Sequence, residues 1–328
     1  QNIKTNDIIM KTLTSMSITL LRDNISRLFK VSNYHKLSKV DLIKLFYDLI
    51  VKQYSSNINL QTLCNLLDIQ APITNDSCEL TVVNNISEIQ YIIHIADLHI
   101  NEHRVFEYEQ VFNNFINDLI SKMDLLKNKT IIVICGDIFH KKVHQKAESI
   151  NLWNKFIKKA CNLFPVVTIT GNHDYDMKTS DIDWVSSTYK HDNFYHLNNL
   201  GPFEFNNIVF GISPLRPNDQ TIIYNMKKDD PKKTYIQLYH GTINGSLVFN
   251  NQMMESTCKI SDFGEFDALL LGDIHKMQYL DKYNRVAYSG SLIQQNKGES
   301  VFNHGYLLWD LKNDLQLEFV KLHNYYCS

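Results

Sequence analysis

The strongest constraint in this chain is that short, wholly apolar runs repeatedly stop at a carboxylate or an imidazole. YIIHIA (91–96), TIIVIC (130–135) and PVVTIT (165–170) have the length and β-branched composition of strands buried on both faces. Asp97 and His99 follow the first run in ADLHI, and Asp137 follows the second in GDIFH, with His140 three residues later. Asn172, His173 and Asp174 follow the third in TGNHD. His240 ends another run in LYHGT, and Asp273 and His275 follow ALLL in GDIHK. Amphipathic stretches at about 105–126 and 146–163 suit crossover helices between the first three strands. Further strand patterns crowd the second half: NIVFGI, YIQLYH, ALLLGD, RVAYSG, GYLLWDL and LQLEFVKL. This order of elements predicts an α/β fold, two sheets packed together with helices outside.

Taken one at a time, these endings say little. A lone His beside a strand is more often a hydrogen-bonded structural residue than a ligand. Gly, Asn and Asp all favour turns, so TGNHD alone could be only a turn. Together they say more, because ligands of an open α/β sheet collect outside the carboxyl ends of its strands. Desolvating so many carboxylates in one place without cations would be prohibitive. The expected partner is a pair of metal ions.

The chain is 328 residues long, enough for one large domain and a small one. Its 44% hydrophobic and 21% charged residues fit an ordinary globular protein, and no apolar run is long enough to cross a bilayer. The six cysteines (64, 78, 135, 161, 258 and 327) lack close pairing, which favours reduced thiols and an intracellular, soluble protein of cytoplasm or nucleus. Cys135, at the end of a buried run, is expected to be inert core packing.

The net charge of −2 conceals an asymmetry. Residues 1–52 carry nine Lys/Arg against four Asp, a net +5, which leaves −7 for the rest. A basic segment on an acidic body suits a polyanionic partner, although a solvated surface explains the charge equally well. ITLLRDNISRLFK (18–30) places Leu21, Ile25, Leu28 and Phe29 on one helical face. After SNYHK, Ser38 and Asp41 form a capping-box pattern, and Val40, Ile43, Tyr47 and Ile50 repeat at helical spacing. The expected organisation is a helix-loop-helix module at 1–56, a linker with a short helix near 60–68 at 57–88, and the α/β domain at 89–328.

The order Asp-x-His, Gly-Asp, Gly-Asn-His-Asp, His and a closing Gly-x-x-His resembles the calcineurin-like metallophosphoesterases over about residues 90–322. That resemblance implies a four-layer α-β-β-α sandwich and two bound ions. One ion would take Asp97, His99, Asp137 and His275; the other would take Asp137, Asn172, His240 and Asp273, with Asp137 shared. His173 would serve as the acid at the phosphate, and Asp174 would hold its imidazole. Asp273 stands where the family has a His, and this oxygen-rich shell suits manganese, or magnesium, better than zinc.

GDIFHKK, LGDIHKMQYL with RVAYSGSLIQQNKGES, and NHGYLLWDL resemble the SbcD-type repair nucleases and their eukaryotic meiotic-recombination-eleven counterpart, in versions from phages and large DNA viruses. The resemblance implies hydrolysis of DNA phosphodiesters, as a 3′-to-5′ exonuclease or single-strand endonuclease, by water activated on the ions. His140 would position the duplex end and Ser291 would line the DNA side. An SbcC-like, SMC-type ATPase is an implied partner, and FEYEQVFNNFINDLI is either a homodimer face or a core-facing helix. The basic module is similar to SAP-like or Rho-N-terminal-like units, which would place Arg27, Lys30, Lys36 and Lys39 against phosphates. The alternatives are a phosphatase, or a nucleotide or cyclic-nucleotide phosphodiesterase, on the same core, and a non-catalytic scaffold.

Overall fold

The computed structural model describes residues 34–54, 81–83, 88–175, 183–215, 222–248 and 250–324, with Leu13, Leu21, Arg22, Ile25 and Ser26 besides. The chain divides into two compact units, Gln1–Thr74 and Asn75–Ser328.

In the first unit a short 3-10 turn, Tyr34–Lys36, leads to helix α1, Lys39–Tyr54. Ser38 caps it: its Oγ accepts from the Asp41 N–H at 3.3 Å and donates to the Asp41 carboxylate at 2.6 Å. Leu42, Ile43, Phe46 and Ile50 of α1 pack with Leu13, Leu21, Ile25 and Tyr34 into a small core. Val40, expected on that face, is 59% exposed. At about 100° per residue it lies roughly a quarter-turn from the Phe46–Ile50 stripe. Leu28, Phe29, Arg27, Lys30 and the helix expected near 60–68 lie outside the described residues.

The second unit begins inside the stretch read as linker. There β1 (Thr81–Val83) precedes β2 (Tyr91–Ile95). Helices α2 (Val105–Ser121) and α3 (Met123–Leu126) lead to β3 (Thr130–Cys135). Helix α4 (Ala147–Leu163) leads to β4 (Val166–Ile169), and α5 (Trp184–Thr188) to β5 (Phe194–His196). Then follow β6 (Gly201–Phe205), β7 (Ile208–Ser213), β8 (Thr234–His240) and β9 (Ala268–Gly272). The last strands are β10 (Gln278–Tyr279), β11 (Val286–Tyr288), β12 (Gly305–Asp310) and β13 (Gln316–Lys321).

They form two mixed sheets. One runs β1-β6-β7-β8-β9-β11-β10 and the other β13-β12-β2-β3-β4-β5. Strand alternation assigns the layers. Ile131, Val133 and Cys135 of β3 meet Phe210, Ile236, Leu238 and Leu270 of the other sheet between the two, while Ile132 and Ile134 face α2 and α4. Each of these fully buried aliphatic side chains contributes about 1.5–3 kcal/mol. The apolar stripe of α2, from Tyr108 to Leu119, is directed into this core. The outer face of the other sheet is covered, among the described residues, by loops and the 3-10 turn Ile260–Phe263, whose Phe263 packs on Leu269, Leu271 and Tyr288.

Strands β2, β3 and β4 are mutually parallel, as are β8 and β9. Their carboxyl ends therefore present Asp97, Asp137, Asn172, His240 and Asp273 at one edge of the sandwich.

Candidate metal centre

The strand ends are shaped by backbone that side chains rarely adopt. Asp97, His99, Asp137 and Asp273 have φ of 53°, 44°, 54° and 96°. Four such residues cost of order 1–3 kcal/mol each and cluster where geometry serves function. The turns after β2 and β3 are zipped together: the Asp97 N–H donates to the Gly136 carbonyl at 3.1 Å, and the His99 N–H to that of Asp137 at 2.9 Å. Glycine permits the crowding. A Cβ on Gly171 would sit 2.2 Å from Asp137 Oδ1, and one on Gly272 would sit 1.9 Å from the Cys135 carbonyl oxygen.

Asp137 is the centre of the arrangement. Its Oδ2 lies 3.3 Å from His99 Nε2, and its Oδ1 lies 3.3 Å from His240 Nε2. Oδ1 also accepts from the His173 N–H at 2.8 Å. On the first side, His99 Nε2 and His275 Nε2 point at each other 3.0 Å apart. That is the separation of neighbouring ligands, each about 2.1 Å from a single ion, in an octahedral shell. The potential ligand atoms of Asp97, His99 and His275 fall within 4.8 Å of one another, as do those of His99, Asp137 and His173, and of Asp97, Asp137 and His240. On the second side, Asp273 Oδ1 is 3.9 Å from His240 Nε2, and its Oδ2 accepts from Thr242 Oγ1 at 2.6 Å.

The donors fit a pair of cations. His240 Nε2 and Asn172 Oδ1 are buried with no hydrogen-bond partner, although such atoms are ordinarily satisfied. His240 Nδ1 is engaged with the Cys135 carbonyl at 2.8 Å, which leaves Nε2 as the free donor. Burial pushes the Asp97 carboxyl well above the usual carboxylate range. Burial would raise Asp137 too, but His240, His99 and His173 outweigh it and hold its carboxyl low. Burial lowers His99 well below the ordinary imidazole value. A nearby divalent charge favours ionised carboxylates and neutral imidazoles, the forms that ligate.

His173 lies among these groups, with its ring centroid 4.6 Å from that of His99. Its Nδ1 bonds the His140 carbonyl at 2.6 Å. The expectation that Asp174 holds this imidazole is therefore corrected. Asp174 is fully buried and accepts from the backbone N–H groups of Ile138, Phe139 and Gly171 at 2.8, 3.2 and 2.9 Å. A carboxylate committed to three main-chain donors fastens the β3 and β4 turns to each other instead. His140 is exposed at the rim, its ring centroid 5.9 Å from that of His99.

Ser291 is a second correction. It is wholly buried, bridges Ala96, and its carbonyl accepts from His304 at 3.0 Å, so it offers no surface to DNA. Lys36 is exposed at the end of the 3-10 turn and Lys39 opens α1. One functional candidate escaped the sequence. Glu299, 8% exposed, accepts from His275 Nδ1 at 2.8 Å. Burial alone would lower His275, but Glu299, with Asp97 next, raises it to about 9. A single Glu in the turn NKGES, 24 residues from its partner, carries no spacing signal.

The family model described as calcineurin-like phosphoesterase matches residues 91–277. The uncharacterized protein R555 of Acanthamoeba polyphaga mimivirus is 35% identical over 73% of this chain and 18% of its own length. The SbcD component of the nuclease SbcCD from Staphylococcus saprophyticus is 24% identical over 68% of this chain and 66% of that protein. The putative phosphoesterase 244L of invertebrate iridescent virus 6 is 25% identical over 65% of this chain and 73% of that protein. The match thus spans less than a fifth of the mimivirus protein and just under two thirds of the staphylococcal one.

Proposed function

The chain belongs to the calcineurin-like phosphoesterase family, which implies a metal-supported hydrolase, and from that premise we propose that it is a two-metal DNA nuclease of the SbcD kind. One observation carries the reading: the two oxygens of Asp137 face two separate sets of buried donors. Its resemblance to a protein named as part of a nuclease points to a phosphodiester substrate. A cleft of about 600 Å³ opens beside Asp273 and His275 and includes Lys276, Asn303, Phe319 and Lys321. Cations and an aromatic face suit the nucleotide flanking a scissile phosphate.

Asp97, His99, Asp137 and His275 would hold one ion, and Asp137, Asn172, His240 and Asp273 the other. When bound, the pair supplies charge neutralisation at the phosphate and an activated water. Asp137 fixes the separation of the two donor sets. His173, whose Nδ1–H donates to the His140 carbonyl at 2.6 Å, keeps Nε2 for the leaving oxygen, to which its imidazolium form would pass a proton. Exposed His140 guides the strand towards it. The carboxylate of Asp273 favours manganese, with magnesium next.

A second reading has its own support: the cleft is also large enough for a free nucleotide, which suits a nucleotide phosphodiesterase. Incubation with manganese and duplex DNA, single-stranded DNA or p-nitrophenyl phosphate separates the two. The nuclease reading expects cleavage of DNA; turnover of the small ester alone overturns it. Among the described residues no helix is long and apolar enough to cross a membrane.

The basic N-terminal unit is proposed to add non-specific phosphate contacts through Arg27, Lys30, Lys36 and Lys39. Deleting 1–55 should then weaken DNA binding and flatten its salt dependence by about one unit of log–log slope per lost contact. An unaltered slope would assign the unit another role.

A further inference from the structure

Glu299 lies outside the donor sets yet touches them at a single point. Its Oε1 accepts from His275 Nδ1 at 2.8 Å and from Asn296 Nδ2 at 2.7 Å, while its Oε2 accepts from the Gln295 backbone N–H at 2.8 Å. The loop it anchors reaches the other donors of the same side. Gln295 Nε2 donates to the Leu98 carbonyl at 3.1 Å, and Tyr108 Oη, which donates to the His99 carbonyl at 2.5 Å, lies 3.3 Å from Gln295 Oε1. Gln294 Nε2 ties the Glu299 carbonyl at 3.1 Å.

We propose that Glu299 is the positioning residue of the first ion: it keeps the His275 proton on Nδ1 and aims Nε2 at the space shared with His99. A ligating imidazole must present one bare nitrogen, and the partner of its other nitrogen decides which one that is. No other described side chain bonds His275 Nδ1, so the task falls to Glu299. The loop 294–299 links this control to Asp97 and His99 through their own main chain, which makes the three donors one assembled unit. This assignment rests on the two-metal reading and extends it to a residue outside the ligand set.

The two bonding edges of Glu299 allow positioning to be told from simple loop anchoring. In Glu299→Gln the amide oxygen still accepts from His275, but the amide nitrogen faces the Gln295 N–H and loses that bond. In Glu299→Ala both are lost. Manganese titrations of the whole chain, read by calorimetry and by electron paramagnetic resonance, need no substrate. The expected result is a 10- to 100-fold weaker affinity at one of two sites in Glu299→Ala, restored to within about threefold in Glu299→Gln. Equal loss in both variants shows that Glu299 only anchors the loop and overturns the proposal. So does wild-type affinity in Glu299→Ala. Wild-type protein that binds no manganese overturns the two-metal reading and the proposal with it, whereas two ions bound identically in all three proteins overturn the proposal alone.

Discussion

Asp137→Asn is expected to lower the phosphodiester hydrolysis proposed for this chain by at least about a thousandfold, roughly 4 kcal/mol of transition-state stabilisation, and to abolish binding of one manganese ion outright. The substitution keeps the side chain's shape, and the amide oxygen can still accept from the His173 N–H that Asp137 Oδ1 takes at 2.8 Å. What it removes is the second anionic oxygen. An amide NH2 would stand 3.3 Å from His99 Nε2 or from His240 Nε2, where the carboxylate has an oxygen on each side. The donor sets then have no shared anion, and two dications close together repel without it. Kinetics on DNA with a parallel manganese titration check both halves, with circular dichroism to confirm folding. Activity within tenfold of wild type would show that Asp137 is not the shared ligand.

His173→Gln is the second large effect. Loss of a general acid costs about 10²–10⁴ in kcat, and the loss here should fall on kcat with two manganese ions still bound. The reason is positional. Nδ1 is already committed to the His140 carbonyl at 2.6 Å, a bond that presents the ring rather than fixing it to an ion. The ligand atoms of His173, His99 and Asp137 do lie within 4.8 Å of one another, so the stoichiometry decides the role. One ion bound in His173→Gln would make His173 a ligand. A less basic leaving group should also rescue this variant, because a good leaving oxygen needs no proton in the transition state.

Where chemistry coincides with strand ends, the convergence of the side chains was legible in the sequence. Buried β-branched runs such as TIIVIC point their carboxyl ends one way in a parallel sheet, so Asp97, Asp137 and His240 converge by topology alone. The sequence failed where contacts depend on the path of a turn. Asp174 is adjacent to His173 in the chain, yet its carboxylate turns back to the N–H groups of Ile138 and Gly171. Ser291 follows a glycine with a φ of 69°, and that turn carries it inward beneath His304. Glu299 had no local signature because its partner lies in another loop. Strand β1 was hidden by a polar surrounding sequence and becomes legible only from its parallel pairing with β6.

A two-metal centre here requires Asp137 to be shared between two cations. The most direct measurement is an anomalous difference map from a manganese-soaked crystal. Two peaks are expected about 3.5–4 Å apart, one bounded by Asp97, His99 and His275 and the other by Asn172, His240 and Asp273, with one oxygen of Asp137 towards each. A map without peaks, in which His99 and His275 simply bond each other as they do at 3.0 Å here, would contradict it.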